Sequence, residues 1–187
     1  VGLIASTEGK KSRKVVEYGI NALKAVFHRG AVDADGKTGD GAGIHLEIPS
    51  DFFTEKIELT GHKHDDSEIC VGMIFLPRNN YEAQENSRTL IESELTKSNF
   101  SIYGWRQVPV NTKALGEKAN FTRPEITQVL FKHNDKNLIG KKLERKLYES
   151  RRKIEKEAIK NAIEGFYICS LSSKSIIYKG MFLAESI

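Results

Sequence analysis

Apolar positions along this chain recur in two rhythms, one helical and one strand-like. Between residues 12 and 28, Val16, Ile20, Leu23 and Phe27 fall three or four apart, which predicts a helix with one buried stripe and Ser12 as its N-cap. Residues 81–97 repeat the pattern with Leu90, Ile91 and Leu95, and residues 141–162 repeat it with Leu143, Leu147, Ile154, Ala158 and Ala162. A shorter helix through Phe52, Phe53 and Ile57 is expected to start from Pro49-Ser50-Asp51. Runs of strand length occupy residues 1–5, 44–48, 71–76, 102–110, 126–131, 166–171 and 176–179. Pro77 closes the third of these and Pro109 breaks the fourth. The last two flank Ser172-Ser173-Lys174 and read as a hairpin. Polar residues 61–68 read as a surface loop. Helices fall between strands, yet hairpin-like neighbours also occur. The predicted class is therefore α+β, with helices layered on largely antiparallel sheets and no domain boundary within residues 1–187.

One stretch follows neither rhythm. Residues 29–43 hold five glycines in fifteen positions, a density that means tight backbone, positive φ or close approach of another group. Gly39-Asp40-Gly41-Ala42-Gly43 lacks the Lys-Ser/Thr ending of a phosphate-binding P-loop. It also precedes a strand, whereas a dinucleotide fingerprint follows one and opens a helix. A structural turn is the better reading.

Composition narrows the class without choosing a function. The chain has 187 residues, 39% hydrophobic and 29% charged, an ordinary globular balance. Net charge is +4 and spread along the chain, which does not call for nucleic acid or an anionic membrane as partner. No apolar run approaches the roughly 18 to 20 residues of a membrane span. The two cysteines, Cys70 and Cys169, sit inside apolar runs and read as buried reduced thiols, which points to the cytoplasm.

Three clusters carry candidate chemistry. His62 and His64 lie near Asp65, Asp66 and Cys70, but a closed zinc site draws paired ligands from two places, so a solvated loop is expected. The basic residues of the 141–162 helix are interleaved with Glu144, Glu149, Glu155 and Glu157 at pairing distances, and no aromatic platform accompanies them. A solvated helix face is the expectation there. His28-Arg29-Gly30 ends the first helix. Arg29 could hold a substrate carboxylate through a bidentate pair or cap its own helix through the last carbonyls.

The order of the blocks adds a resemblance. Val1-Gly2-Leu3-Ile4-Ala5, His28-Arg29-Gly30-Ala31, Thr38-Gly39-Asp40-Gly41-Ala42-Gly43-Ile44 and Pro49-Ser50-Asp51-Phe52-Phe53 follow one another as at the start of the glutamate synthase large-subunit family. Val71 to Pro77, Gly104 to Val110, Glu144 to Tyr148, Phe166 to Ser173 and Ile177 to Met181 continue it in family order, so the resemblance covers essentially the whole chain. It implies a class II glutamine amidotransferase domain with the four-layer α/β/β/α sandwich of N-terminal-nucleophile hydrolases, incomplete at both ends. In that family an N-terminal cysteine attacks the side-chain amide of L-glutamine, with its own α-amino group as base. The Cys-Gly of the family pattern falls just before Val1, so the resemblance leaves the nucleophile outside the segment and implies an inactive fragment. Arg29 matches the active-site arginine, and Gly39, Asp40, Gly41, Ala42 and Gly43 match a block read as site-adjacent backbone. The oxyanion-hole Asn-Gly, and the arginine and acidic residue that hold glutamine, fall beyond Ile187.

By the same resemblance the partners are L-glutamine, the remaining synthase domains of the parent chain and, among further candidates, a small NAD(P)H-oxidising subunit. FMN and an iron–sulfur cluster are expected in the rest of the parent enzyme, and no cofactor or metal in this segment. Three alternatives stand beside it: another class II amidotransferase, a non-catalytic regulatory or binding relative, and an RNA-binding module on the Lys141 helix.

Overall fold

The computed structural model describes residues 1–187, which divide into two compact units. The larger comprises residues 47–109 and 124–176, the smaller residues 1–46, 110–123 and 177–187.

The larger unit is built on a four-stranded antiparallel sheet in the order β3-β4-β2-β5, from β2 (Cys70–Leu76), β3 (Phe100–Gln107), β4 (Glu125–His133) and β5 (Tyr167–Ser172). β2 is an internal strand, which explains its unbroken apolar run. Two helices contribute to one core with this sheet, α3 (Tyr81–Lys97) and α5 (Gly140–Lys160). Ile91 and Leu95 of α3, with Leu143, Leu147 and Ile154 of α5, meet Ile74, Val129 and Phe131 of the sheet. The predicted stripes therefore hold, with additions. Ser87 and Ser150 are also buried because each hydroxyl donates to the carbonyl one turn back, Ala83 at 2.6 Å and Lys146 at 2.9 Å. A short helix, α2 (Ser50–Glu58), buries Phe53 and Ile57. It starts at Pro49-Ser50-Asp51 as expected, with Pro49 as N-cap, though no side chain makes a capping bond.

Asn80 caps α3 by accepting from the Ala83 N–H at 3.0 Å. α5 stops at Lys160, and Ala162 lies outside it, exposed and at φ +50°, rather than on the apolar face. β3 ends at Gln107, before Pro109, which has no N–H to add to a ladder.

The smaller unit contains α1 (Arg13–Ala25), α4 (Glu117–Thr122) and most of a two-stranded sheet of β1 (Thr38–Glu47) and β6 (Ser175–Phe182). Three expectations are corrected here. Residues 1–5 form no strand and lie almost wholly exposed, since no other strand pairs with them. The stripe of α1 is half-buried at Val16, Ile20 and Leu23, and Phe27 is exposed at 60%. The supposed hairpin does not form, because β5 joins the four-stranded sheet and β6 pairs with β1. At their turn Ser172 Oγ accepts from the N–H groups of Lys174 and Ser175, a local bond that redirects the chain. α4 had no counterpart in the apolar pattern.

Candidate functional site

The glycine-rich block is a strand rather than a loop. Gly39 to Gly43 lie within β1, which runs antiparallel to β6 with Gly39 opposite Phe182 and Gly43 beside Tyr178 and Lys179. Small residues are needed because the backbones come close. A Cβ at Gly39 would stand 2.6 Å from the Phe182 carbonyl oxygen, and one at Gly43 would stand 2.8 Å from that of Tyr178. Gly41 has φ +123°, a conformation that L side chains rarely adopt. Close approach and positive φ were both legible in the glycine density; the pairing partner was not.

Arg29 ends a short 3-10 turn, Phe27–Arg29, that follows α1. Its side chain is exposed, and its guanidinium makes neither an ion pair nor a hydrogen bond to the carbonyls of its own helix. Capping, the competing role for this arginine, is thus not what the side chain does. The backbone just after it runs beside β1. Ala31 O accepts from the Asp40 N–H at 3.2 Å, Thr38 O accepts from the Asp33 N–H at 2.8 Å, and Val32 bridges Gly39. The residues just after Arg29, Ala31 to Asp33, are therefore brought side by side with Thr38 to Asp40 at the start of the glycine strand, within the smaller unit.

A network of short polar bonds fixes this region. Asp35 accepts from the Thr38 hydroxyl at 2.5 Å and from the Thr38 and Lys37 N–H groups at 2.7 and 2.9 Å. These donors, the hydroxyl foremost, hold its carboxyl well below the usual carboxylate range. Thr38 Oγ1 in turn accepts from the Ala119 N–H at 3.2 Å, which ties α4 to the start of β1. Lys118 pairs with Asp33 at 2.7 Å and lowers that carboxyl's pKa in the same sense. Sequence patterning pointed to none of these four residues. The Asp-x-x-Thr spacing at 35–38 was the available signal, since Asp side chains accept from the backbone a few residues on.

The other clusters resolve into structural roles. His62 and His64 flank the Tyr103 ring edge-on, and each uses Nδ1 locally, to Thr60 Oγ1 at 3.0 Å and to Tyr103 OH at 3.3 Å. Asp65 pairs with Lys132 and Lys136, not with a histidine. On α5 the charges pair along the helix, Arg145 with Glu149 at 3.1 Å and Arg151 with Glu155 at 2.7 Å. Glu144 differs: it accepts from the Ser172 and Ser173 hydroxyls and the Ser173 N–H, so it ties α5 to the turn after β5. Cys70 and Cys169 are buried and form no disulfide, and burial pushes the Cys70 thiol up, with Glu144 and Glu68 adding to it.

Across residues 1–187 the chain matches the family model for class II glutamine amidotransferases. It belongs to that family. The chain is 54% identical over 187 residues to the glutamate synthase [NADPH] large chain of Azospirillum brasilense, covering all of this chain and 12% of that protein. It is 38% identical to a ferredoxin-dependent glutamate synthase of Pyropia yezoensis, covering 97% of this chain and 12% of that one. The chloroplastic ferredoxin-dependent enzyme of Spinacia oleracea is 36% identical over 99% of this chain and 11% of its own length. This amidotransferase chain therefore spans about an eighth of the length of these relatives, which are all glutamate synthases by name. No helix is long and apolar enough to cross a membrane.

Proposed function

We propose that this chain is part of the glutaminase domain of a glutamate synthase, in which L-glutamine is hydrolysed to glutamate and ammonia for transfer to 2-oxoglutarate. The observation that carries the reading is the match to the class II amidotransferase family over every residue of the chain, with glutamate synthases as the similar proteins. Both compact units belong to that one domain, and its complete form is the four-layer sandwich of N-terminal-nucleophile hydrolases. The setting is the cytoplasm.

The chemistry on this reading is an acyl transfer. A cysteine placed immediately ahead of Val1 attacks the side-chain amide carbon of glutamine, and its α-amino group takes the thiol proton. The C–N bond breaks, ammonia leaves with that proton, and water hydrolyses the thioester to release glutamate. Neither internal cysteine suits the role of nucleophile, since both are buried and the Cys70 thiol resists ionisation. Arg29 is the residue of this chain assigned to the substrate, ordering its charged end. Its exposed guanidinium supports that assignment, because a planar fork held by no intramolecular carboxylate can take the glutamine α-carboxylate through two parallel bonds. Gly39 to Gly43 form the adjacent backbone. FMN and an iron–sulfur cluster belong to other regions of the parent, as do the synthase domains that receive the ammonia and the site for a small NAD(P)H-oxidising subunit.

The test is glutaminase kinetics on the full-length parent and on its Arg29→Ala variant. A charge-assisted pair is worth about 1.5 to 3 kcal/mol, so KM for glutamine should rise on the order of 10- to 100-fold. An unchanged KM with intact folding would remove Arg29 from the site. The 187-residue chain alone should release no ammonia from glutamine, and release above background would overturn the assignment of the nucleophile.

A further inference from the structure

Helix α4 begins without a cap of its own. Its N-cap is Gly116, which has no side chain to offer. The cap comes instead from residues 35–38, far away in sequence. Thr38 Oγ1 accepts from the Ala119 N–H, the third of the helix, at 3.2 Å and across a separation of 81 residues. The same hydroxyl donates to Asp35 Oδ2 at 2.5 Å, so a carboxylate stands behind it at the positive end of the helix. The Asp35 carboxyl, lowered first by the Thr38 hydroxyl, is lowered by the Lys118 N–H as well. This arrangement demands glycine at 116, because a Cβ there would overlap Asp35 Oδ2, Thr38 Oγ1 and the Thr38 nitrogen. Lys118 adds its ammonium to Asp33 at 2.7 Å.

The turn that α4 grips lies between the two parts of the candidate site. In one direction the chain leads back through Val32, Ala31 and Gly30 to Arg29. In the other it enters the glycine strand. The Asp33 N–H donates to Thr38 O at 2.8 Å, the Asp40 N–H donates to Ala31 O at 3.2 Å, and a Cβ on Gly30 would lie 3.4 Å from Asp40 Oδ1. The backbone just after Arg29 is thus registered against β1. Thr38, 2% exposed, takes part on both sides: its carbonyl holds Asp33, and its hydroxyl holds Asp35 and α4.

We propose that Thr38 is a positioning residue for glutamine binding: its hydroxyl locks α4 and Asp35 onto the turn that sets where Arg29 is presented. The inference rests on the assignment of Arg29 to the glutamine α-carboxylate. With no ion pair to direct its guanidinium, Arg29 depends on the placement of its backbone, and two parallel bonds to a carboxylate tolerate little displacement.

The experiment is glutaminase kinetics on the full-length parent and on its Thr38→Val, Thr38→Ser, Arg29→Ala and Arg29→Ala/Thr38→Val variants. Thr38→Val keeps the shape and removes both hydroxyl bonds. It should raise KM for glutamine several-fold with kcat little changed. Simple destabilisation does the reverse, since losing active molecules lowers kcat and leaves KM alone. Thr38→Ser keeps a hydroxyl and should return KM toward the parent value. In the Arg29→Ala background, Thr38→Val should add nothing to KM, because the residue it positions is gone. Should Thr38→Val not fold, Asp35→Asn, which removes the charge behind the cap, takes its place under the same criteria. A KM raised by Arg29→Ala but not by Thr38→Val overturns the positioning role alone. A full further rise in the double variant overturns action through Arg29. An unchanged KM in Arg29→Ala removes the substrate assignment, and the positioning role with it.

Discussion

Gly39 and Gly43 show how little room a single atom can have. Replacing either by alanine puts a Cβ inside van der Waals distance of a β6 carbonyl oxygen, so one strand must move. We expect Gly39→Ala and Gly43→Ala each to cost about 1 to 3 kcal/mol, as overpacking does, measured by denaturant unfolding. Gly2→Ala, with nothing within 4 Å of its added Cβ, is the control that should change nothing. Acid sensitivity is also set by single residues. Asp35 and Asp65 are both held below the ordinary carboxylate range, by the Thr38 donors and by Lys132 with Ser67 respectively. A carboxyl with a folded pKa under its unfolded value of about 3.9 stabilises the fold above that pH and loses this contribution as pH falls through the folded pKa. The melting temperature should therefore drop as pH is lowered from 5 toward 2, and Asp35→Asn should make that slope shallower. Parallel slopes for the two proteins would show that Asp35 does not contribute.

Among the elements, α5 has a tie that its amphipathic pattern does not announce. Glu144 gathers three donors from Ser172 and Ser173, at 2.8, 2.7 and 2.9 Å, at the point where β5 leaves one sheet and β6 enters another. Glu144→Gln keeps the shape and replaces one acceptor oxygen by an NH2, so a loss of about 1 to 3 kcal/mol is expected in the same unfolding measurement. A loss no larger than that of Glu149→Gln, on the solvated face, would count against the tie. The helices α3 and α5 were legible because their apolar stripes meet a sheet within the chain, and the period alone locates them. β2 was legible for a related reason, being apolar throughout and flanked on both sides. Residues 1–5 were misread as a strand because an apolar run carries no information about whether a neighbour exists to pair with it. The β5–β6 turn was misread because a Ser-rich corner looks the same whether the two strands pair or part. Within the candidate site, Arg29 was one of two readings at a helix end until its match to a family block favoured the substrate, and the glycine strand stood out through its density; Asp33 and Lys118 have types that occur everywhere on surfaces, and beyond the Asp-x-x-Thr spacing of Asp35 and Thr38 only mutual distances distinguish the four.

For the whole molecule, the two units differ in how much they bury. Helix α1 has no fully buried residue, whereas α3 and α5 contribute nine between them, four and five respectively. Hydrogen exchange read by mass spectrometry should follow this contrast, since local opening is easiest where few apolar contacts hold a segment. Amides in residues 13–25 should exchange well before those of β2, β4 and α5. Equal protection in the two units would mean that burial of α1 is greater in solution than its half-exposed stripe indicates.

The burial of Cys70 and Cys169 has a practical corollary for spectroscopy. With one thiol 0% and the other 4% accessible, a maleimide added to the folded chain should find almost nothing to react with. A cysteine introduced at an exposed position such as Ser101 or Lys142 would then carry a fluorophore or spin label alone, without removal of either native thiol.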